Sequence, residues 1–363
     1  MGRRFKVLGA VLAGAFVSTP LGAQQPSCAA VGNLVPYCGL SHAEDIEVLP
    51  GKAGVLLSDM NMVRGPAGIS GQPGVLRWLD PASRRVTPLY PAPSAGVGKA
   101  VWGEPSCGQE IGAQLLPHGF HLSRRRDGRW QLLVVNHGAR ESVEFFELSG
   151  AGKAWKLSWR GCVVPPGNQR LNDVVALPGG GLLVTAMGHS ISGSGQSAAA
   201  QLGFLWRWTP AEGTVKQPGS EALRPNGVQI DRAGRYAYLS TQTPGAELLK
   251  LDLVAGKMVD SAAMNKPDNS SWADDGSLLV AATAPGTSSA VCFKTPSQHC
   301  GEGFEIYAVD PATMAARKVI AHAGEPMGAA TVAVQFGHSL LIGSYVGDRI
   351  LGVRNFFPLK PSK

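Results

Sequence analysis

Along this chain a polar pair repeatedly precedes a short alternating segment, a glycine-containing turn and then a run of aliphatic or aromatic residues. The phrase begins at Glu44-Asp45, His118-Gly119, Asn172-Asp173, Asn226-Gly227, Asp268-Asn269 and Thr331-Val332, six copies in all. Period-two alternation followed by a glycine turn and a strand buried on both faces reads as a β-hairpin. Further strand-like stretches lie between the copies, at Val75–Trp78, Gly203–Trp208, Leu248–Leu253 and Phe304–Val309. Six repeats of about 57 residues exceed the ~40–45 of a compact four-stranded blade, so some connections must be long. The pattern predicts an all-β chain folded as a six-bladed β-propeller.

Composition supports this reading. With 47 Gly, 26 Pro, 44% hydrophobic and 16% charged residues, the chain is too apolar for general disorder and too rich in turn residues for a coiled coil or helical bundle. Arg3, Arg4 and Lys6 precede an uncharged run from Val7 to Val17, and small residues lead to Ala23. These features predict a secretory signal peptide over residues 1–23, its apolar run too short to span a membrane, with residues 24–363 as one propeller domain. The mature protein is then expected to be periplasmic or secreted.

Cleavage removes three cations and no anion, leaving 30 Lys and Arg against 26 Asp and Glu, or +4 in place of +7. Arg124-Arg125-Arg126 beside Asp127-Gly128 reads as a solvated turn, and nothing suggests a nucleic-acid partner. The six cysteines, Cys28, Cys38, Cys107, Cys162, Cys292 and Cys300, are an even number for an oxidising compartment. Fifteen connectivities are open. Proximity favours Cys28 with Cys38 and Cys292 with Cys300, leaving Cys107 for Cys162. No CxxC pair occurs to suggest zinc.

A propeller gathers the inner strands of all its blades around one channel, so residues that open the hairpins meet at one mouth. Glu44, Asn172, Asn226, Asp268 and Asn269 would there form a ring of hard oxygen donors with two negative charges, suited to one calcium ion. Asp45 and Asp173 point the other way along their strands and could hold a second ion. The competing reading is ordinary turn chemistry, in which Asn and Asp bond their own backbone. The same placement in five of six repeats, counting His118 of the second copy, favours the metal. A glycan on the Asn269-Ser270-Ser271 sequon would destroy such a site and is set aside.

Several stretches resemble the paraoxonase/arylesterase family: Leu116-Pro117-His118-Gly119-Phe120, Leu132-Leu133-Val134-Val135-Asn136-His137 with Glu141-Ser142-Val143-Glu144-Phe145-Phe146, and Leu171-Asn172-Asp173-Val174-Val175. Glu44 to Pro50 and Leu340 to Ser344 are similar to it too. The resemblance implies a six-bladed propeller with two calcium ions that hydrolyses lactones and aryl esters. By position, the catalytic calcium would take Glu44, Asn172, Asn226, Asp268 and Asn269. The structural calcium would take Asp45, Asp173 and the backbone carbonyl of Phe120. His118 and His137 match the family's histidine pair, with His118 as general base and Asp268 its rival.

Two alternatives stay open. A sugar lactonase resembling the senescence-marker/gluconolactonase family would use Glu44, Asn172, Asn226 and Asp268 for one metal. A secreted, non-catalytic propeller, on the scaffold that strictosidine-synthase-like proteins share, could instead bind a ligand or partner and keep calcium only as a structural pin, since fold does not determine function. The absence of a Gly-x-Ser-x-Gly elbow disfavours serine hydrolysis. No cysteine follows Cys300, so the last blade is expected to close by strand pairing or packing alone. Substrate choice is assigned to loops around Asn61–Gly74, Gly188–Gln201 and Thr283–Gly303.

Overall fold

The computed structural model describes residues 28–65, 68–71, 73–91, 102–167, 169–188, 202–243, 245–287, 292 and 300–357. The expected leader lies outside these residues, as do parts of the three loops assigned to substrate choice. The described chain is an all-β, six-bladed propeller, each blade an antiparallel path of four strands running outward from the channel, with the short strand Ala222–Leu223 added to the third blade by pairing with Leu202–Thr209. The six inner strands are Ala43–Val48, Pro117–Arg124, Leu171–Ala176, Pro225–Ile230, Pro267–Trp272 and Ala330–Phe336. Each opens one copy of the repeated phrase, and each neighbours the next around a closed ring.

Why the strands carry continuous apolar runs is evident from their packing. Six buried hydrophobic clusters lie between successive blades, one at each interface. Leu132, Val134 and Phe146 of the second blade face Leu56, Leu76 and Tyr90 of the first, while Leu133, Val135 and Phe145 face Val174, Leu182 and Trp208 of the third. Alternate residues of one strand therefore enter two different cores. A sheet covered on both faces has little use for polar alternation.

Closure follows the expectation drawn from the cysteines. The N-terminal strand Leu34–Cys38 is the outermost strand of the sixth blade and pairs antiparallel with Arg349–Val353, from Leu34 opposite Val353 to Cys38 opposite Arg349. This pairing removes an exposed edge at the seam. The three disulfides are Cys28–Cys38, Cys107–Cys162 and Cys292–Cys300, the pairing that proximity favours.

All six inner strands carry the same irregularity. In each, two residues stand opposite one residue of the second strand: Glu44 and Asp45, His118 and Gly119, Asn172 and Asp173, Asn226 and Gly227, Asp268 and Asn269, Thr331 and Val332. A bulge of this kind bends its strand and re-aims side chains out of the regular pleat. The polar pairs found in the sequence are thus the bulges of the fold, and hydroxyls on the second strand help to satisfy them. The backbone N–H of Asp173 donates to Thr185 Oγ1 at 2.8 Å and that of Asp45 to Ser58 Oγ at 3.3 Å.

Candidate metal centre and histidine chain

The first residues of the six bulges are Glu44, His118, Asn172, Asn226, Asp268 and Thr331, and contacts across the channel link most of them. Asn269 Nδ2 donates to Glu44 Oε1 at 2.8 Å. His118 Nε2 lies 3.8 Å from that Glu44 oxygen and 3.5 Å from Asn172 Nδ2. Thr331, absent from the expected set, donates its hydroxyl to the Glu44 carbonyl at 2.5 Å and anchors that strand to the sixth blade.

What these groups lack is as informative as what they hold. Glu44 Oε2, Asn172 Oδ1, Asn226 Oδ1, Asp268 Oδ1 and Asn269 Oδ1 are all buried with no hydrogen-bond partner. One orphaned buried acceptor costs about 1–3 kcal/mol, and all five oxygens here come from the expected ligand set, none of them accepting the backbone hydrogen bond that turn chemistry would supply. Burial, followed by repulsion from Asp45, pushes the Glu44 and Asp268 carboxyls well above their usual range; Asp268 adds to the rise of Glu44, and Glu302 to that of Asp268. A bound cation would relieve both the missing partners and the repulsion. The donor set, two carboxylates and three amide oxygens without sulfur, fits calcium.

Asp45 and Asp173 occupy second bulge positions and serve a different surrounding. Asp45 Oδ1 accepts from Ile46 N and Oδ2 from Phe120 N, at 2.8 and 2.9 Å. Asp173 repeats this with Val174 N and Val228 N, at 2.7 and 2.8 Å. Each carboxylate thus ties its own blade to the next. Burial raises Asp45 to about 7, and burial together with the Asp45 charge raises Asp173 well above the usual range. Both line, with Phe120, a cavity of about 190 Å³ in the farther part of the channel. Glu47, pushed by burial to about 8, and His121, lowered by burial to about 4, line the same cavity. Unlike the ring at the other level, this pair has no orphaned oxygens, and its case for an ion rests on uncompensated charge.

Beside the ring runs a chain of short contacts. His118 Nδ1 lies 2.7 Å from His137 Nε2, and His137 Nδ1 lies 2.7 Å from Glu141 Oε1. His118 is lowered well below 6.5 by burial, then by His137 and Arg170; burial also lowers His137. The neutral forms are therefore favoured. His118 and His137, paired by the family resemblance, are in direct contact, and Glu141 is a third partner that the resemblance does not supply. Its only local signal is a spacing of four from His137, and these residues form a turn between strands, not a helix.

Elsewhere, Cys292 and Cys300 gather beside Glu302, yet their sulfurs form a disulfide and offer no thiolate. Among the described residues no helix is long and apolar enough to cross a membrane.

No protein-family model matches the chain, and no curated protein matches it in sequence. Solved structures do. A candidate gluconolactonase superposes with a TM-score of 0.51 at 12% identity, covering 88% of this chain and 91% of its own. A gluconolactonase from Xanthomonas campestris superposes with a TM-score of 0.51 at 15% identity, covering 88% of each chain. At such identities the likeness is one of fold, and it agrees with the six blades described above.

Proposed function

We propose that this protein is a secreted, calcium-dependent hydrolase of lactones, with aryl esters as a second substrate class. The observation that carries this reading is the set of five orphaned buried oxygens from Glu44, Asn172, Asn226, Asp268 and Asn269, beside a neutral histidine pair. These five residues would hold the catalytic calcium; Asp45, Asp173 and the Phe120 carbonyl would hold a structural one. A calcium ion bound there supplies Lewis acidity toward an ester carbonyl and its developing oxyanion.

The chain's own residues account for the rest. His118, nearly buried, presents Nε2 toward Glu44 and Asn172, where it can take a proton from an attacking water. Its lowered basicity leaves it unprotonated at neutral pH and able to act so. His137 sits behind Nδ1 to orient the ring or pass a proton on. Three disulfides and the expected leader support an oxidising compartment.

The gluconolactonase-type alternative draws support from the fold neighbours, and one experiment separates the readings. Purified protein is assayed on aliphatic lactones, a sugar lactone and phenyl acetate, with calcium and with a chelator. Chelator-sensitive hydrolysis of aliphatic lactones is expected. Hydrolysis confined to the sugar lactone favours the alternative. Calcium binding with no hydrolysis of any of them leaves a binding propeller and removes the enzymatic reading.

A further inference from the structure

Glu141 lies on the turn between the strands Trp130–Asn136 and Ser142–Ser149, outside every ligand set considered so far. Its Oε1 receives two contacts of 2.7 Å, one from the backbone N–H of Leu171 and one involving His137 Nδ1. The backbone group can only donate, so this oxygen is an acceptor, and His137 Nδ1 must carry the hydrogen it receives. A neutral imidazole has one donor nitrogen and one acceptor nitrogen. His137 Nε2 is then the acceptor, and the hydrogen in its 2.7 Å contact with His118 Nδ1 belongs to His118. By the same rule His118 Nε2 is left bare, facing the ring of oxygens. A separate contact agrees: Asn172 Nδ2, which can only donate, points at that Nε2 from 3.5 Å.

We infer that Glu141 is a positioning residue that sets the tautomers of both histidines, so that His118 presents a lone pair, and not an N–H, to the channel. This deepens the hydrolytic reading and rests on it for its chemical purpose. Glu141 acts across a blade boundary. Leu171 precedes the expected ligand Asn172, so the carboxylate that orients the second blade's histidines is itself oriented by the third blade's inner strand. The side chain of His137 is only 6% exposed, so water cannot readily replace the lost acceptor, whereas that of Glu141 is 31% exposed and connects the chain to solvent. The logic is that of the serine-protease triad, where a buried carboxylate holds an imidazole in the productive tautomer.

Two variants and one spectroscopic readout test this. Glu141→Leu removes the acceptor. Glu141→Gln keeps an amide oxygen that the Leu171 N–H will hold in place, so the tautomers should survive without the charge. Long-range ¹⁵N–¹H correlation spectra of uniformly labelled protein report each histidine's tautomer whether or not any substrate turns over. The wild type and Glu141→Gln should show His118 and His137 as Nδ1–H; Glu141→Leu should shift His137 toward Nε2–H or a mixture. With an aliphatic lactone, Glu141→Leu should lower kcat about 10²–10⁴-fold with KM nearly unchanged, and Glu141→Gln should stay within roughly tenfold of wild type. A wild-type His137 protonated at Nε2 overturns the inference, as does a folded Glu141→Leu with wild-type tautomers or rate. If Glu141→Leu does not fold, the wild-type and Glu141→Gln spectra still decide. If the wild type hydrolyses no lactone, the functional reading fails while the tautomer measurement stands.

Discussion

Gly119 of the second blade sits so close to Asp173 of the third that a Cβ atom on the glycine would lie 2.6 Å from Asp173 Oδ1 and 2.7 Å from the Asn172 carbonyl oxygen. Gly227 stands in the same relation to the fifth blade, 2.9 Å from Asn269 Oδ1 and 2.5 Å from the Asp268 carbonyl. Both glycines occupy the second bulge position. In the first, third and fifth blades that position carries Asp45, Asp173 and Asn269; in the second and fourth it is vacated. These glycines are needed for space and not for backbone freedom, since neither has a positive φ.

Alanine at Gly227 therefore has to displace backbone and a candidate ligand together. Gly227→Ala should cost about 1–3 kcal/mol of stability, as overpacking does, and weaken calcium binding. Gly108→Ala, whose Cβ would meet nothing within 4 Å, should stay within about 0.5 kcal/mol of wild type. Denaturant titrations with and without calcium measure both, and equal behaviour of the two variants would count against the crowding argument.

His118→Gln separates base from ligand. His118 belongs to neither expected calcium set, so calcium affinity measured by calorimetry should change little while kcat on a lactone falls about 10²–10⁴-fold. A full rate would transfer the base role to Asp268.

The bond between Cys107 and Cys162 joins the segment before the second blade to that blade's outermost strand, at a sequence separation of 55. Both sulfur-bearing residues lie in the core cluster between the first two blades. Replacing both by alanine should cost about 4 kcal/mol on a chain-entropy view. A chemical-denaturation loss under about 1 kcal/mol would contradict this.

His322 gives a pH signature away from the channel. Its Nε2 is buried without a partner, and its ring packs 4.9 Å from that of Phe304. Burial lowers its pKa below the usual 6.5, outweighing the raising effect of Glu325. The unfolded chain then binds the proton more tightly than the native state. Its stability contribution is full above about 6.5 and is lost as pH falls through that value toward the lowered native pKa. His322→Leu should flatten the dependence of the unfolding midpoint between pH 7 and pH 5; an unchanged slope would show that the residue does not contribute.

Much of the propeller is visible in the residues because its signals are local. A polar pair, an alternating segment and a glycine turn mark each inner hairpin, and all six marked positions are bulges. Glu44, Asn172, Asn226, Asp268 and Asn269 stood out because the same chemistry recurs at one place in the repeat. Glu141 and Thr331 did not. Glu141 lies in an outer turn whose folding back onto His137 no periodicity records, and Thr331 in the one copy whose polar character is slight.

The blade count and the residue types of the expected ligand ring are written in the chain, because both depend on spacing within a repeat, whereas proximity only favoured one of fifteen disulfide pairings until the fold selected it. The tertiary structure alone decided which oxygens are left without partners, which nitrogen of His118 faces the channel, and why Gly119 and Gly227 must be small. Those properties arise between blades. They exist only once Leu34–Cys38 pairs with Arg349–Val353 and closes the ring, bringing Glu44 to Asn269 across 225 positions of chain.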